Sequence, residues 1–63
     1  MLNEYDHVKI IKTGILGEVI DVYCSEGKMI YIVESDEKGV PGGYGGENSW
    51  KLFHCYEEEL EKI

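Results

Sequence analysis

Hydrophobic and polar residues alternate in the segment "GEVIDVYC" (17–24) with the two-residue period of a β-strand. Three further segments are predicted to be strands because they are rich in β-branched or aromatic residues: "HVKIIK" (7–12), "MIYIVES" (29–35) and "SWKLFHC" (49–55). No long helical period separates them. The chain is therefore predicted to be all-β, a small barrel or sandwich of four or five strands.

The charged positions predict which side chains face the core. If Asp21 lies in water, the inward residues of the second segment are Ile20, Val22 and Cys24. If Glu34 lies in water, those of the third are Met29, Tyr31 and Val33. This register leaves Ile30 and Ile32 on the outer face of the sheet.

Glycines mark the predicted turns. "SEGK" (25–28) predicts a tight hairpin turn in which Gly27 supplies the positive φ. Gly14 and Gly17 predict a sharp, structural bend between the first two strands. Residues 35–48 predict a long glycine-rich loop before strand 4, and a loop of that length in a small domain is often functional or disordered.

The C-terminal segment "YEEELEKI" allows two interpretations. Tyr56 and Leu60 have helical spacing, which would suit one or two helical turns. A short acidic turn followed by a last strand, "LEKI", is preferred because that strand would cover an exposed sheet edge.

Length and charge limit the possible functions. The chain has 63 residues, so residues 1–63 form a single domain with a thin core. Thirteen acidic residues against six lysines, with no arginine, give a net charge of −7. Nucleic-acid binding is disfavoured because it depends on clustered basic residues. An acidic surface favours solubility or a basic protein partner.

The segment "VKIIKTGILGEVIDVY…YIVES" resembles the opening of SH3-like small barrels of the KOW/Tudor-like group. With Val33-Glu34 and the acidic terminus "EEELEKI", the chain is also similar to short bacterial SH3-like proteins. The resemblance implies a five-stranded SH3-like barrel. Such barrels usually bind through an aromatic-lined groove between their loops.

A fainter resemblance is to CAP-Gly domains, at Gly17, at Tyr31-Val33-Glu34 and at Phe53-His54-Cys55. The defining GKNDG loop of those domains is replaced here by "GVPGGYGG". Basic residues, which KOW modules use to bind RNA or ribosomal partners, are also few. The resemblances therefore imply a fold and do not identify a ligand.

Aromatic and acidic residues supply the candidate binding site. The aromatic residues outnumber what a small core can hide, and exposed Trp and Tyr are enriched at binding hot spots. Tyr44 lies in the glycine-rich segment, an adaptable backbone that suits a binding loop. A run of glutamates is ordinarily a solvated face, and the alternative is steering toward a basic surface. The candidate binding residues are Tyr23, Tyr44, Trp50, Phe53, Glu57, Glu58 and Glu59.

Catalysis, cofactor binding and metal binding are not expected. The glycine-rich segment lacks the lysine of a phosphate-binding loop. His54 and Cys55 are adjacent, so on a strand they point to opposite faces and can form neither a zinc pair nor a catalytic pair. Both cysteines are expected to be buried thiols. The N-terminal segment "MLNEYDHVKI" lacks the basic-then-apolar order of a signal peptide, so we expect a cytoplasmic protein without membrane association.

The sequence thus predicts a non-enzymatic, acidic protein-binding module, a monomer or small homo-oligomer. A second hypothesis is an acidic inhibitor, of the immunity or phage anti-defence type, that masks a basic surface of its target. A third, a KOW-like RNA or ribosome binder, requires the six lysines to gather on one face.

Overall fold

The computed structural model describes residues 2–63. The chain forms one five-stranded antiparallel sheet with the order β4-β3-β2-β1-β5. Its strands are β1 (His7–Ile10), β2 (Leu16–Ser25), β3 (Lys28–Lys38), β4 (Trp50–Tyr56) and β5 (Leu60–Lys62). A 3-10 turn, Glu57–Glu59, joins β4 to β5. The all-β prediction is confirmed, and so is the preferred interpretation of the C-terminal segment as a turn followed by a strand.

One hydrophobic core draws residues from all five strands and from the N-terminal segment. Its buried members are Leu2, Val8, Ile10, Val19, Tyr31, Val33, Cys55 and Leu60. Val8, Val19 and Val33 are fully buried, one on each of the three central strands. Burial, with the negative charge of Glu57 as a second cause, raises the pKa of the Tyr31 hydroxyl. A single core is what a chain of this size can build.

A β-bulge in β2 overturns the predicted alternation of that strand. Val19 pairs with Val33, but Ile32 pairs with Asp21, so Ile20 is an extra residue in β2. Before the bulge the inward residue is Val19, and after it the inward residue is Val22. The prediction was therefore right for Val22 but wrong in placing Ile20 inward instead of Val19, because the extra residue shifts the alternation by one position.

The hairpin between β2 and β3 turns as predicted. Ser25 pairs with Lys28, which leaves Glu26 and Gly27 as the two turn residues. Their φ angles are 52° and 79°. Two positive φ values are those of a type I′ turn, which matches the twist of the flanking strands.

The far end of this hairpin extends beyond the core. Cys24 and Met29, which pair across it, were predicted to face inward, but both are exposed. In contrast Tyr31 and Val33 are buried as predicted. The alternation is correct for the third segment, but the core ends before the strands do.

Gly14 and Gly17 act by different means. Gly14 has φ +77° in the turn before β2, with nothing within 4 Å of an added Cβ. Gly17 lies buried within β2, where an added Cβ would stand 2.5 Å from the carbonyl oxygen of Glu34 and 2.7 Å from Val33 Cγ1. The structural interpretation is confirmed for both glycines, but the predicted bend only for Gly14, since Gly17 lies within β2 where two strands approach closely.

The predicted loop 35–48 begins too early. β3 continues to Lys38, past an irregularity between Glu34 and Lys38. Ser35, only 2% exposed, stabilises this stretch, since its hydroxyl donates to Glu37 O and accepts from the Lys51 N–H. The connection to β4 is therefore residues 39–49, hereafter the glycine loop.

Candidate functional site

The outer face of β2, β3 and β4 carries Ile30 and Ile32 at its centre, as predicted. Both side chains are half-buried. Residues that pair across an antiparallel sheet lie on the same face. Three such rows cross this face: Tyr23–Ile30–Tyr56, Asp21–Ile32–His54 and Glu18–Glu34–Leu52. The sheet thus has a second partly apolar face, opposite the core.

Three side chains form an aromatic patch on this face, defined here as Tyr23, His54 and Tyr44. The Tyr23 and His54 rings meet edge-on with centroids 6.1 Å apart. The Tyr23 hydroxyl lies 3.3 Å from His54 Nδ1, within hydrogen-bond distance. The Tyr44 ring lies 5.4 Å from the His54 ring on a tilted plane. All three side chains are exposed, and ring pairs at these separations hold one another in place.

Tyr44 reaches the patch because the glycine loop folds back onto β4. The Tyr44 N–H donates to Leu52 O at 2.8 Å, and the Leu52 N–H donates to Tyr44 O at 2.9 Å. The loop adopts this path through Gly42, Gly43 and Gly45, whose φ values are +83°, +70° and +139°. Residues other than glycine rarely adopt such angles. The glycines of the loop therefore allow the path that brings the Tyr44 side chain to the patch.

Carboxylates share this face with the aromatic patch. Glu18, Asp21 and Glu34 all belong to the cross-strand rows. Those rows contain three carboxylates and no lysine, although the Lys28 ammonium group stands over the Tyr56 ring at the end of one row. The face therefore combines aromatic rings from β2, β4 and the glycine loop with the carboxylates of β2 and β3.

The lysines are distributed over several strands. Lys28 and Lys38 lie at opposite ends of the eleven-residue β3. Their ammonium groups stand over the rings of Tyr56 at 4.9 Å and Trp50 at 4.3 Å. Lys9 pairs with Glu61 at 3.2 Å, on the β1–β5 side of the sheet. Two of the lysines are thus a full strand length apart, so the six do not form one compact basic cluster.

The structure brings together only part of the predicted binding set. Tyr23 and Tyr44 lie in the aromatic patch. Trp50 is 51% exposed at the other end of β4, beneath Lys38 and outside the ring contacts of the patch. Phe53 faces inward, packs against the core, and lies under Gly43. Trp50 and Phe53 were grouped with the tyrosines because the sequence shows that they are aromatic but not which face of the sheet each one occupies.

The predicted glutamates form a turn at the end of β4. Glu57, Glu58 and Glu59 are all exposed and make up the 3-10 turn. The Glu59 carboxylate accepts the Tyr56 N–H at 2.7 Å and so closes the end of the strand. At least one of the three glutamates therefore has a structural role besides any role in steering.

His54, Ile30 and Ile32 were not among the predicted binding residues, although the two isoleucines were predicted to lie on the outer face. His54 was weighed only as a metal ligand or catalytic base. The signal that could have found the patch was the register of the third segment. It placed Ile30 and Ile32 outside, and residues that pair with them across the sheet, Tyr23 and His54, must share that face.

The two cysteines differ sharply, which corrects the expectation that both are buried. Cys24 is exposed and Cys55 is buried, and both are free thiols. Burial, with the negative charge of Glu59 as a second cause, raises the pKa of the Cys55 thiol to about 11. Cys55 therefore stays protonated near neutral pH, which makes it a poor nucleophile. Among residues 2–63, no three His, Cys, Asp or Glu side chains cluster closely enough to hold a metal ion.

Comparison with known proteins gives no relative: no family model, curated protein or solved structure matches this chain significantly. The resemblance to SH3-like barrels therefore stays a prediction. The part of the chain that the structure describes contains no helix long and apolar enough to cross a membrane.

Proposed function

We propose that this chain is a small, non-enzymatic protein-binding module that recognises a basic protein partner through the outer face of β2, β3 and β4. The observation that carries the proposal is the aromatic patch. Tyr23, His54 and Tyr44 are exposed, in mutual contact, and set beside two half-buried isoleucines. Clustered aromatic side chains of this kind are typical of binding hot spots.

The patch is suited to binding because its side chains are already ordered. An aromatic anchor that is held by neighbours loses little conformational entropy when a partner covers it. Tyr44 is 68% exposed, yet its backbone is bonded to Leu52 and its ring contacts His54. Full coverage of such an anchor contributes about 2 kcal/mol or more to binding.

Charge supports a basic partner. The chain carries −7, and Glu18, Asp21 and Glu34 border the aromatic patch. Complementary charge accelerates association and weakens as salt screens it. Two copies of this chain would repel one another across the same face, so a partner of opposite sign fits better than a second copy.

The acidic inhibitor is the second candidate function, and the same three carboxylates favour it. An inhibitor of this kind would cover a basic, nucleic-acid-binding surface on its target. Competition separates the two candidates: an inhibitor releases nucleic acid from the partner when added in equimolar amount, whereas an adaptor leaves the partner's nucleic-acid binding unchanged.

The test starts from a partner obtained by affinity capture, re-expressed and purified, whose Kd is measured by calorimetry against matched variants. We expect Tyr44→Ala to weaken binding about thirtyfold, the equivalent of about 2 kcal/mol. Tyr5→Ala is the control, because Tyr5 is 69% exposed and Tyr44 is 68% exposed. Equal Kd values for the two variants would refute the proposed site.

A second pair of variants tests the charge. Glu34→Gln should lower the association rate at low salt and reduce its salt dependence, because Glu34 lies on the proposed face. Glu26→Gln, in the hairpin turn, removes the same charge at a distance and should have a smaller effect. If Glu26→Gln has the larger effect on the association rate, the charge of this face does not guide the partner.

A further inference from the structure

From Leu52 onward, the outer edge of β4 has three backbone positions that point away from β3. In an antiparallel pair, alternate residues bond to the partner strand and the residues between them point outward. Leu52 bonds to Tyr44, outside the β3–β4 pair, which identifies it as an outward position. His54 and Tyr56 follow at two-residue intervals, so their N–H groups point outward as well.

Two of these positions are closed from within the chain. The glycine loop pairs with Leu52 through the single isolated bridge to Tyr44. The Tyr56 N–H donates to the Glu59 carboxylate. Between them lies His54, which is exposed and whose outward N–H faces no further strand, because β4 is at the edge of the sheet. The edge is therefore open at its middle and covered on both sides by short, local contacts.

The contact at Leu52 imitates an added strand. Tyr44 exchanges both backbone hydrogen bonds with Leu52, as a neighbouring strand would, but the pairing continues for only that one residue. Lys51 Nζ also donates to Gly42 O at 3.3 Å, a side-chain contact between β4 and the loop. A segment that offered several consecutive backbone pairs would replace this bridge with a longer ladder.

We infer that the edge of β4 is a strand-addition site, that the glycine loop occupies it in the free protein, and that the occupant is an extended, lysine- or arginine-rich segment of the partner. The charge of the occupant rests on the proposed function; the strand addition does not. Exposed sheet edges accept extended segments through main-chain hydrogen bonds. The chain as a whole carries −7, and Glu47 in the loop and Glu58 in the turn after β4 flank this edge. The Lys38 and Lys28 ammonium groups stand over Trp50 and Tyr56 at the two ends of the strand, so the charge of the occupant rests on the net charge of the chain.

Gly43 offers a way to release the loop without touching β4. An added Cβ at Gly43 would stand 2.8 Å from the Leu52 carbonyl oxygen and 2.9 Å from the Phe53 ring. Gly42 is the matched control, since its φ is similarly positive at +83° but an added Cβ would meet only the Phe53 ring, at 3.6 Å. Gly43→Ala should therefore displace the Tyr44 bridge, whereas Gly42→Ala strains the loop and leaves the bridge in place.

Amide hydrogen exchange in the protein alone tests whether the loop covers the edge. In Gly43→Ala the Leu52 amide should exchange at least ten times faster than in the unmodified chain. The Phe53 amide, which points to β3, should keep its protection. Leu52 exchange that is unchanged in Gly43→Ala, or equally accelerated in Gly42→Ala, would overturn the displacement.

A synthetic peptide of about seven alternating lysine and valine residues tests strand addition directly, with amide chemical shifts as the measurement. We expect saturable shifts at His54 and Leu52, and binding about tenfold tighter to Gly43→Ala because two backbone hydrogen bonds no longer compete. A peptide N-methylated at alternate residues keeps its charge but loses its donors, so it should not bind the edge.

The possible results separate this inference from the proposed function. Shifts confined to Tyr23 and Asp21, equal for the methylated peptide, would overturn strand addition while leaving the aromatic face as the binding site. Shifts at His54 that an alternating glutamate–valine peptide reproduces would support strand addition and contradict the basic partner. No shift at the β4 edge in either the unmodified chain or Gly43→Ala would overturn the inference.

Discussion

Gly17→Ala should destabilise the chain more than any change of one methyl group elsewhere in β2. The new Cβ would stand 2.5 Å from a backbone oxygen of β3 and 2.7 Å from the fully buried Val33. Ordinary carbon contacts lie near 3.5–4.0 Å, so β2 and β3 would have to separate by roughly 1 Å. Overpacking in a well-packed core costs about 1–3 kcal/mol. We expect a cost at the upper end of this range because the nearest atom belongs to the backbone of β3, which cannot move aside as a side chain can.

That loss is large for a domain of this size. A single small core supplies about 3–5 kcal/mol of net stability, so Gly17→Ala should leave the chain near its unfolding midpoint. Gly14→Ala is the matched control. Its Cβ meets nothing within 4 Å, but its φ of +77° costs a residue with a side chain about 1–2 kcal/mol.

Urea unfolding followed by far-ultraviolet circular dichroism measures both variants. We expect Gly17→Ala to lose about 3 kcal/mol and Gly14→Ala roughly half as much, with similar slopes against urea. A Gly17→Ala variant that is as stable as Gly14→Ala would show that β2 and β3 are less closely packed than described here, and the reasoning would fail.

Three further predictions follow from the core and the surface. The stability contributed by the Cys55 thiol is complete below its ordinary pKa of 9.0 and is lost as the pH rises toward about 11, because in that interval this thiol ionises in the unfolded chain but not in the folded one. Between these pH values the free energy of unfolding should therefore fall less steeply in Cys55→Ala than in the unmodified chain. Iodoacetamide at mildly alkaline pH should label Cys24 alone in the folded protein and both cysteines in denaturant; early labelling of Cys55 would contradict its burial. Lys9→Met should cost less than about 1 kcal/mol in urea unfolding, since its bond to Glu61 is exposed to solvent, and a larger loss would contradict that weak role.

The two-residue alternation was enough to predict the strands, but not all of the core. Tyr31 and Val33 face inward as the third segment predicts. Val19 could not be found in this way, because the bulge at Ile20 adds a residue without any marker in the sequence. Local patterns show which residues favour strands, whereas a bulge depends on how two strands fit together.

The turns were easier to predict than the loop. Gly27 identifies the hairpin because one residue type is favoured at a positive φ. The glycine-rich segment indicated a loop but not its attachment to Leu52, since a bridge of one residue has no period. Only Tyr23 and Tyr44 of the aromatic patch were predicted as binding residues. The patch joins β2, the loop and β4, and contacts between segments so far apart in sequence leave no local pattern.

Cross-saturation NMR on the labelled chain bound to its purified, unlabelled partner tests the proposed binding face most directly. Saturation of partner protons should reduce the amide signals of Asp21, Ile32 and His54, which lie in one row across the outer face. Lys9 and Glu61, on β1 and β5, should keep theirs. Strong transfer to Lys9 and Glu61, with none to Asp21, Ile32 and His54, would place the partner elsewhere and contradict the account.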